Sequence, residues 1–202
     1  MIDIEDIKFP VKDAFISYEQ AFTQAMQSED ERLNEVLNYI HVKSGKQLRP
    51  IIVLLSAQLC RGVTEKTIQT AVALELLHNA SLVHDDVVDS SHLRRGVKSV
   101  QAKWSNKIAV LVGDYMLARV INTITDIHNS RILNIVADLG MSLSSGELLQ
   151  LHANESMWIT EKQYFRIITQ KTAQLFAVCA SAGAESSAAT MKQTTALREF
   201  GK

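Results

Sequence analysis

Residues 66–89 read KTIQTAVALELLHNASLVHDDVVD. Apolar side chains recur at Ile68, Val72 and Leu76 and again at Val83, spacings that put them on one stripe of an α-helix, and no sustained alternation of period two competes. The stretch from Lys66 to Asp89 is therefore expected as a single helix, long for a globular protein. A second stretch, Arg131 to about Asn154, repeats the pattern at Ile132, Ile135, Val136, Leu139 and Leu143. The chain of 202 residues holds only eight glycines and two prolines, and both prolines (Pro10, Pro50) lie in its first quarter, so everything after Pro50 is free to be helical. Breaks are expected at Ser44-Gly45, Gly62-Val63-Thr64, Ser90 to Gly96 and His128-Asn129-Ser130. They give roughly eight helices joined by short loops, and no sheet. With no repeat, low-complexity tract or linker, residues 1–202 read as one all-α domain, a large bundle.

Composition narrows the function classes. Apolar residues make up 47% and charged residues 21%, which excludes a disordered or fibrous chain. Lys and Arg number 21 against 22 Asp and Glu, so no global basic field points to nucleic acid, and an anionic ligand needs a local cluster of cations. Cys60 and Cys179 lie in apolar runs and read as core thiols of a reducing compartment. The acidic start MIDIEDIKFP has no basic region followed by an apolar one, and the longest uncharged apolar stretch, Thr172 to Ala184, is too short to span a bilayer. A soluble cytoplasmic chain without a transmembrane segment is expected.

The densest polar group inside an apolar helix is His78 to Asp89. Asp85 and Asp89 stand four apart, which stacks both carboxylates on one helix face about 6 Å apart along the axis. Such a pair repels itself without a cation and suits magnesium, which takes one or two protein carboxylates together with substrate phosphates. A solvated acidic helix end carries the same string. From Ser90 to Val112 the chain holds Arg94, Arg95, Lys98, Lys103 and Lys107 with no acid. Guanidinium groups clamp phosphate oxygens, and Gly96 allows a tight turn beside them, although the same loop can instead pair with the preceding aspartates. A second cluster, Gly45-Lys46-Gln47-Leu48-Arg49-Pro50, sets Lys46 and Arg49 at the start of a helix, where free backbone amides also attract phosphate. It is also what a solvated turn looks like, and no Walker A loop is present.

Taken in order, Gly45 to Pro50, His78 to Asp89, Arg94-Arg95-Gly96, and Gly113-Asp114-Tyr115-Met116-Leu117-Ala118-Arg119 resemble the trans-isoprenyl diphosphate synthases, in particular their long-chain polyprenyl branch. The resemblance continues through Gly146-Glu147-Leu148-Leu149-Gln150, Lys171-Thr172-Ala173 and Leu197-Arg198-Glu199-Phe200-Gly201-Lys202, nearly the whole chain. Gln47 stands where a basic residue is usual, and Lys98 where many relatives have proline. The family carries a second aspartate-rich motif shortly after Phe-Gly-Lys, and here the sequence stops at Lys202. The resemblance thus implies an antiparallel helical bundle of the isoprenoid synthase type without its C-terminal helices, the N-terminal portion of a longer enzyme.

What the resemblance implies residue by residue is a successive condensation of isopentenyl diphosphate onto an allylic diphosphate. The allylic C–O bond ionises, the alkene adds to the cation, and a proton is lost; no protein nucleophile takes part. By similarity, Asp85 and Asp89 ligate Mg²⁺ carrying the allylic diphosphate, Asp86 supports them, and Arg94, Lys171 and Thr172 face that diphosphate. Lys46, Arg49, His78 and Arg95 match the isopentenyl diphosphate site. Thr172 taken alone is an ordinary helix hydroxyl. Ala80 and Ser81, one turn before Asp85, are expected to line the tunnel for the growing chain, their small size permitting long products; small residues there also let two helices pack closely. A homodimer is implied by the family. A noncatalytic diphosphate-binding or regulatory subunit is the alternative, since the second aspartate motif is absent.

Overall fold

The protein is described by a computed structural model covering residues 3–42, 45–156 and 158–202. Ser44 of the expected Ser44-Gly45 break lies outside them. Among the described residues the chain is all-α, with α1 Ile4–Lys8, α2 Lys12–Ala25, α3 Glu31–Val42, α4 Leu48–Cys60, α5 Glu65–Val88, α6 Val100–Lys103, α7 Asn106–Asp126, α8 Ser130–Ser156, α9 Glu161–Ile168, α10 Gln174–Ser186 and α11 Met191–Phe200. These are eleven rather than roughly eight, because α1 and α6 are single short turns and the last third is more divided than its periodicity suggests.

Helix α5 is the axis of the bundle. It packs against α2, α4, α7 and α10, and side chains from Thr67 to Asp86 are buried on every side. A helix enclosed by neighbours carries apolar residues all round, so the stripe through Ile68, Val72, Leu76 and Val83 is only part of its buried surface. Its start is fixed by a reciprocal cap: Thr67 N–H donates to Thr64 Oγ1 at 3.2 Å, and Thr64 N–H donates to Thr67 Oγ1 at 3.1 Å. At its end Ser91 N–H donates to the Asp86 carbonyl and Ser90 N–H to the Val87 carbonyl, with Ser90 in the left-handed region at φ 51°. This paired closure ends the helix with Asp89 as its last, exposed cap.

The expectation of no sheet is corrected at one place. β1 Leu93–Arg94 and β2 Val97–Lys98 form a minimal antiparallel hairpin, Leu93 opposite Lys98 and Arg94 opposite Val97. The connecting residues Arg95 (φ 52°) and Gly96 (φ 78°) both have positive φ, the geometry a two-residue hairpin turn needs. Two-residue strands are too short to leave a period in the sequence. Hydrogen bonds anchor the hairpin: Gln101 Nε2 donates to the carbonyls of Asp86 (2.7 Å) and Ser91 (2.8 Å), and Tyr39 Oη donates to that of Lys98 (2.7 Å).

One other expectation changes. Cys179 is buried, but Cys60, at the end of α4, is only half-buried. Helices α7 and α8 are long and apolar enough to cross a membrane by length and composition alone, a test that the core helices of a bundle also pass. Their scattered charges interrupt any uniformly apolar stretch, which is why a search for uncharged runs passes over them. In the bundle α7 buries Ala109, Val112, Met116, Val120 and Ile124 and packs along α5.

Candidate active site

A cavity of about 580 Å³ opens between the C-terminal half of α5, α8 and the start of α10. Its polar lining includes Arg49, His78, Ser81, Asp85, Glu147, Lys171 and Thr172, and most of the rest is leucine, among them Leu77, Leu117, Leu143, Leu148 and Leu175. Sites expected on three separate stretches of sequence, at Arg49, at His78 to Asp85 and at Lys171-Thr172, therefore face one space. Lys171 and Thr172 lie in a π-helical turn, Thr169–Ala173, set between α9 and α10 rather than in a regular helix. Such single turns bulge the backbone outward and recur at functional positions. Here the turn presses on α8 at Gly146, where a Cβ would meet Gln170 Cβ at 2.9 Å, so only glycine permits the approach.

The two expected carboxylates differ in surroundings. Asp85 is half-buried and its pKa is raised to about 6, chiefly by burial and then by the Glu147 charge, with Lys171 and Arg94 opposing and Asp89 adding. Asp89 is exposed at the helix cap. Asp86 points the other way: it is 3% exposed, and Arg94 donates to its Oδ1 through Nε at 2.9 Å and through a second, closer N–H. That bond holds the Arg94 guanidinium firmly protonated. The pairing of the basic loop with a preceding aspartate, one of the two readings open from sequence, is what Arg94 does here.

Arg94 and Arg95 line a smaller pocket of about 50 Å³ with Asn79 and Asp86, next to the main cavity, and the Arg95 guanidinium packs against Gly45 of the Lys46–Arg49 segment. Lys46 is exposed outside both linings. Burial lowers the pKa of Arg49, and burial followed by Arg49, Arg95 and Arg94 lowers that of His78 to about 3, so His78 is a neutral imidazole among cations. Ala80 and Ser81 separate: Ser81 lines the cavity, while Ala80 is fully buried in the apolar core and absent from the cavity wall. Consecutive helical residues point about 100° apart, and the rotation of α5 turns Ser81 toward the space and Ala80 into the core.

Sequence reasoning assigned no task to Glu147 and Gln150, although both stand in a quoted motif. Lys171 Nζ lies 2.6 Å from Glu147 Oε2 and donates to Gln150 Oε1 at 3.1 Å; the other Glu147 oxygen is buried with no hydrogen-bond partner. Their spacing of three on α8, which puts both on one face, was the available signal. His84 was also missed. Its Nε2 sits 3.1 Å from the Val110 carbonyl and 3.6 Å from Asp114, fastening the end of α5 to α7.

The donor set fits a hard divalent cation in part. Asp85 and Asp89 offer carboxylate oxygens one turn apart, and Asp85 lies beside further negative charge, which a cation would relieve. Among the described residues no three His, Cys, Asp or Glu side chains gather as a metal cluster, so the rest of a coordination sphere falls to ligand oxygens and water.

The fold is thus an all-α bundle that brings Asp85, Arg49 and Lys171 to one cavity. The chain belongs to the polyprenyl synthetase family, which it matches over residues 30–202. It is 37% identical over 197 residues to an all-trans-nonaprenyl-diphosphate synthase of Rhodobacter capsulatus, covering 97% of this chain and 60% of that protein. It superposes on the crystal structure of a decaprenyl diphosphate synthase from Rhodobacter capsulatus with a TM-score of 0.94 at 34% identity (98% of this chain, 62% of that one). A polyprenyl synthase from Caulobacter crescentus complexed with calcium and isoprenyl diphosphate gives a TM-score of 0.91 at 30% identity (98% and 61%). The chain spans about three-fifths of the length of these relatives.

Proposed function

We propose that this chain is the N-terminal, substrate-binding portion of a polyprenyl diphosphate synthase that condenses isopentenyl diphosphate repeatedly onto an allylic diphosphate. The observation that carries the reading is the convergence of Arg49 and His78 with Asp85, Lys171 and Thr172 on a single leucine-walled cavity. Arg49, with Lys46 and Arg95 nearby, holds the diphosphate of isopentenyl diphosphate, and neutral His78 supplies a hydrogen bond without adding charge. Asp85 and Asp89, supported by Asp86, hold Mg²⁺, which when bound neutralises the allylic diphosphate as its C–O bond breaks. Lys171, Thr172 and Arg94 take up negative charge on the departing diphosphate, Arg94 being set in place by Asp86. The leucine walls keep water from the allylic cation until the alkene of isopentenyl diphosphate adds and a proton is lost. Ser81 faces the path of the growing tail. The enzyme works as a cytoplasmic homodimer.

The Caulobacter relative, complexed with a divalent cation and an isoprenyl diphosphate, supports the ligand classes. The test is calorimetry with a nonhydrolysable allylic diphosphate analogue, with Mg²⁺ and with EDTA, followed by product analysis with radiolabelled isopentenyl diphosphate. Magnesium-dependent binding with chain elongation is the expected result. Equal affinity in EDTA refutes the metal assignment, and binding without any product leaves a noncatalytic diphosphate-binding subunit.

A further inference from the structure

Glu75 sits midway along α5, one turn before His78 and Asn79, with 2% of its surface exposed. A buried carboxylate is costly unless its oxygens are satisfied. Glu75 is half satisfied: Asn79 Nδ2 donates to Oε1 at 3.3 Å and to the Glu75 carbonyl at 2.8 Å, while Oε2 has no hydrogen-bond partner. Two more buried polar atoms without partners belong to residues that feel its charge, the Tyr18 hydroxyl on α2 and Nε of Arg49 on α4. Arg49 lies over the Phe176 ring, 5.3 Å from its centre, and belongs to the cavity lining. Burial raises the pKa of Glu75, while Arg49, the Asn79 bond and Arg95 lower it. The fold therefore keeps a carboxylate that disfavours its own burial within the field of Arg49 and Arg95.

We infer that Glu75 is a positioning residue for Arg49: Oε2 accepts from Arg49 Nε through one buried water, and so leaves the opposite edge of the guanidinium turned to the diphosphate of isopentenyl diphosphate. This rests on the reading that Arg49 receives that diphosphate. Bidentate capture of phosphate needs the guanidinium plane fixed as well as charged, and an anchor on the Nε edge fixes it. Three buried polar atoms lacking partners, on Glu75 and on two residues that feel its charge, also suit a single bridging water, which needs two to four of them. A mere counter-charge has the opposite signature. Removing it strengthens attraction for an anion, whereas removing an anchor weakens binding of the ligand that the anchored group recognises.

The test compares the full chain with Glu75→Gln, which keeps the volume and the acceptor for Asn79. Its melting temperature should be unchanged or raised, because a buried charge is gone. Its affinity for isopentenyl diphosphate should fall about tenfold, that for the allylic analogue should stay within about twofold, and in an Arg49→Lys background the substitution should cost nothing more. The Arg49 Nε–H resonance, assigned by its loss in Arg49→Lys, should exchange slowly in the parent and quickly in Glu75→Gln. Unchanged or tighter isopentenyl diphosphate binding, or an unaltered Nε–H resonance, overturns the inference. A parent chain that binds no isopentenyl diphosphate overturns the proposed function instead, and the resonance alone then decides the link between Glu75 and Arg49. Should Glu75→Gln not fold, Glu75→Asp, which keeps the charge but shortens the reach, should show the same selective loss.

Discussion

Lys171 Nζ rests 2.6 Å from Glu147 Oε2, so the cation of the π-helical turn is already engaged by a carboxylate of α8 before any ligand arrives. A diphosphate must compete with Glu147 for it, and the same carboxylate raises the pKa of Asp85 across the cavity. Replacing Glu147 with Gln should lower the Asp85 value from about 6 toward its ordinary 3.8, read by carbon-13 titration of the aspartate carboxyls. It should also tighten pyrophosphate binding by about threefold, since one opposing charge is removed. An unmoved Asp85 titration would separate the two groups electrically.

Magnesium-dependent binding should follow the charge of Asp85. A carboxyl with a pKa near 6 is largely protonated at pH 5, so affinity for the allylic analogue in Mg²⁺ should rise as pH passes through 6, and Asp85→Ala should abolish both the affinity and the rise. Stability without metal should run the other way. The folded chain holds this proton more tightly than the unfolded chain, so the carboxylate costs stability above about pH 6 and nothing below its ordinary 3.8. Melting curves of Asp85→Asn should therefore gain on the parent as pH rises through that window.

Asp86 is buried and accepts twice from Arg94. Asp86→Ala leaves that guanidinium without its partner and loosens the hairpin, and should cost about 3 kcal/mol, a fall of roughly 6–12 °C in melting temperature for a chain of this size. Differential scanning calorimetry checks it.

Arg49→Lys keeps the charge and loses the fork. In an assay of turnover the Michaelis constant for isopentenyl diphosphate should rise about tenfold, with that for the allylic partner nearly unchanged. Equal effects on both would make Arg49 a packing residue beside Phe176.

Ser81 lines the cavity and Ala80 does not. Ser81→Phe should shorten the products, seen by chromatography of radiolabelled prenyl chains, with the first condensation retained. Ala80→Phe places a ring in a closed core and should cost about 1–3 kcal/mol of stability with the product length of the surviving enzyme unchanged. The reverse assignment of effects would restore Ala80 to the tunnel wall.

The periodicity of residues 66–89 and 131–154 was enough for an all-α bundle, because helix-forming spacing is local and few glycines or prolines interrupt it. The aspartates, the arginines and the Lys171-Thr172 pair were equally legible, since their order along the chain carries the resemblance. Which of them face one another was not. Whether Asp86 turns to Arg94 while Asp85 turns to the cavity depends on where the hairpin folds back, and two-residue strands leave no periodic trace. Ala80 and Ser81 look interchangeable in sequence, yet the rotation of α5 among α2, α4, α7 and α10 buries one and opens the other. Glu75 reads as a polar interruption in an apolar helix until packing encloses that helix on all sides, because burial, unlike periodicity, is a property of the neighbours a residue acquires.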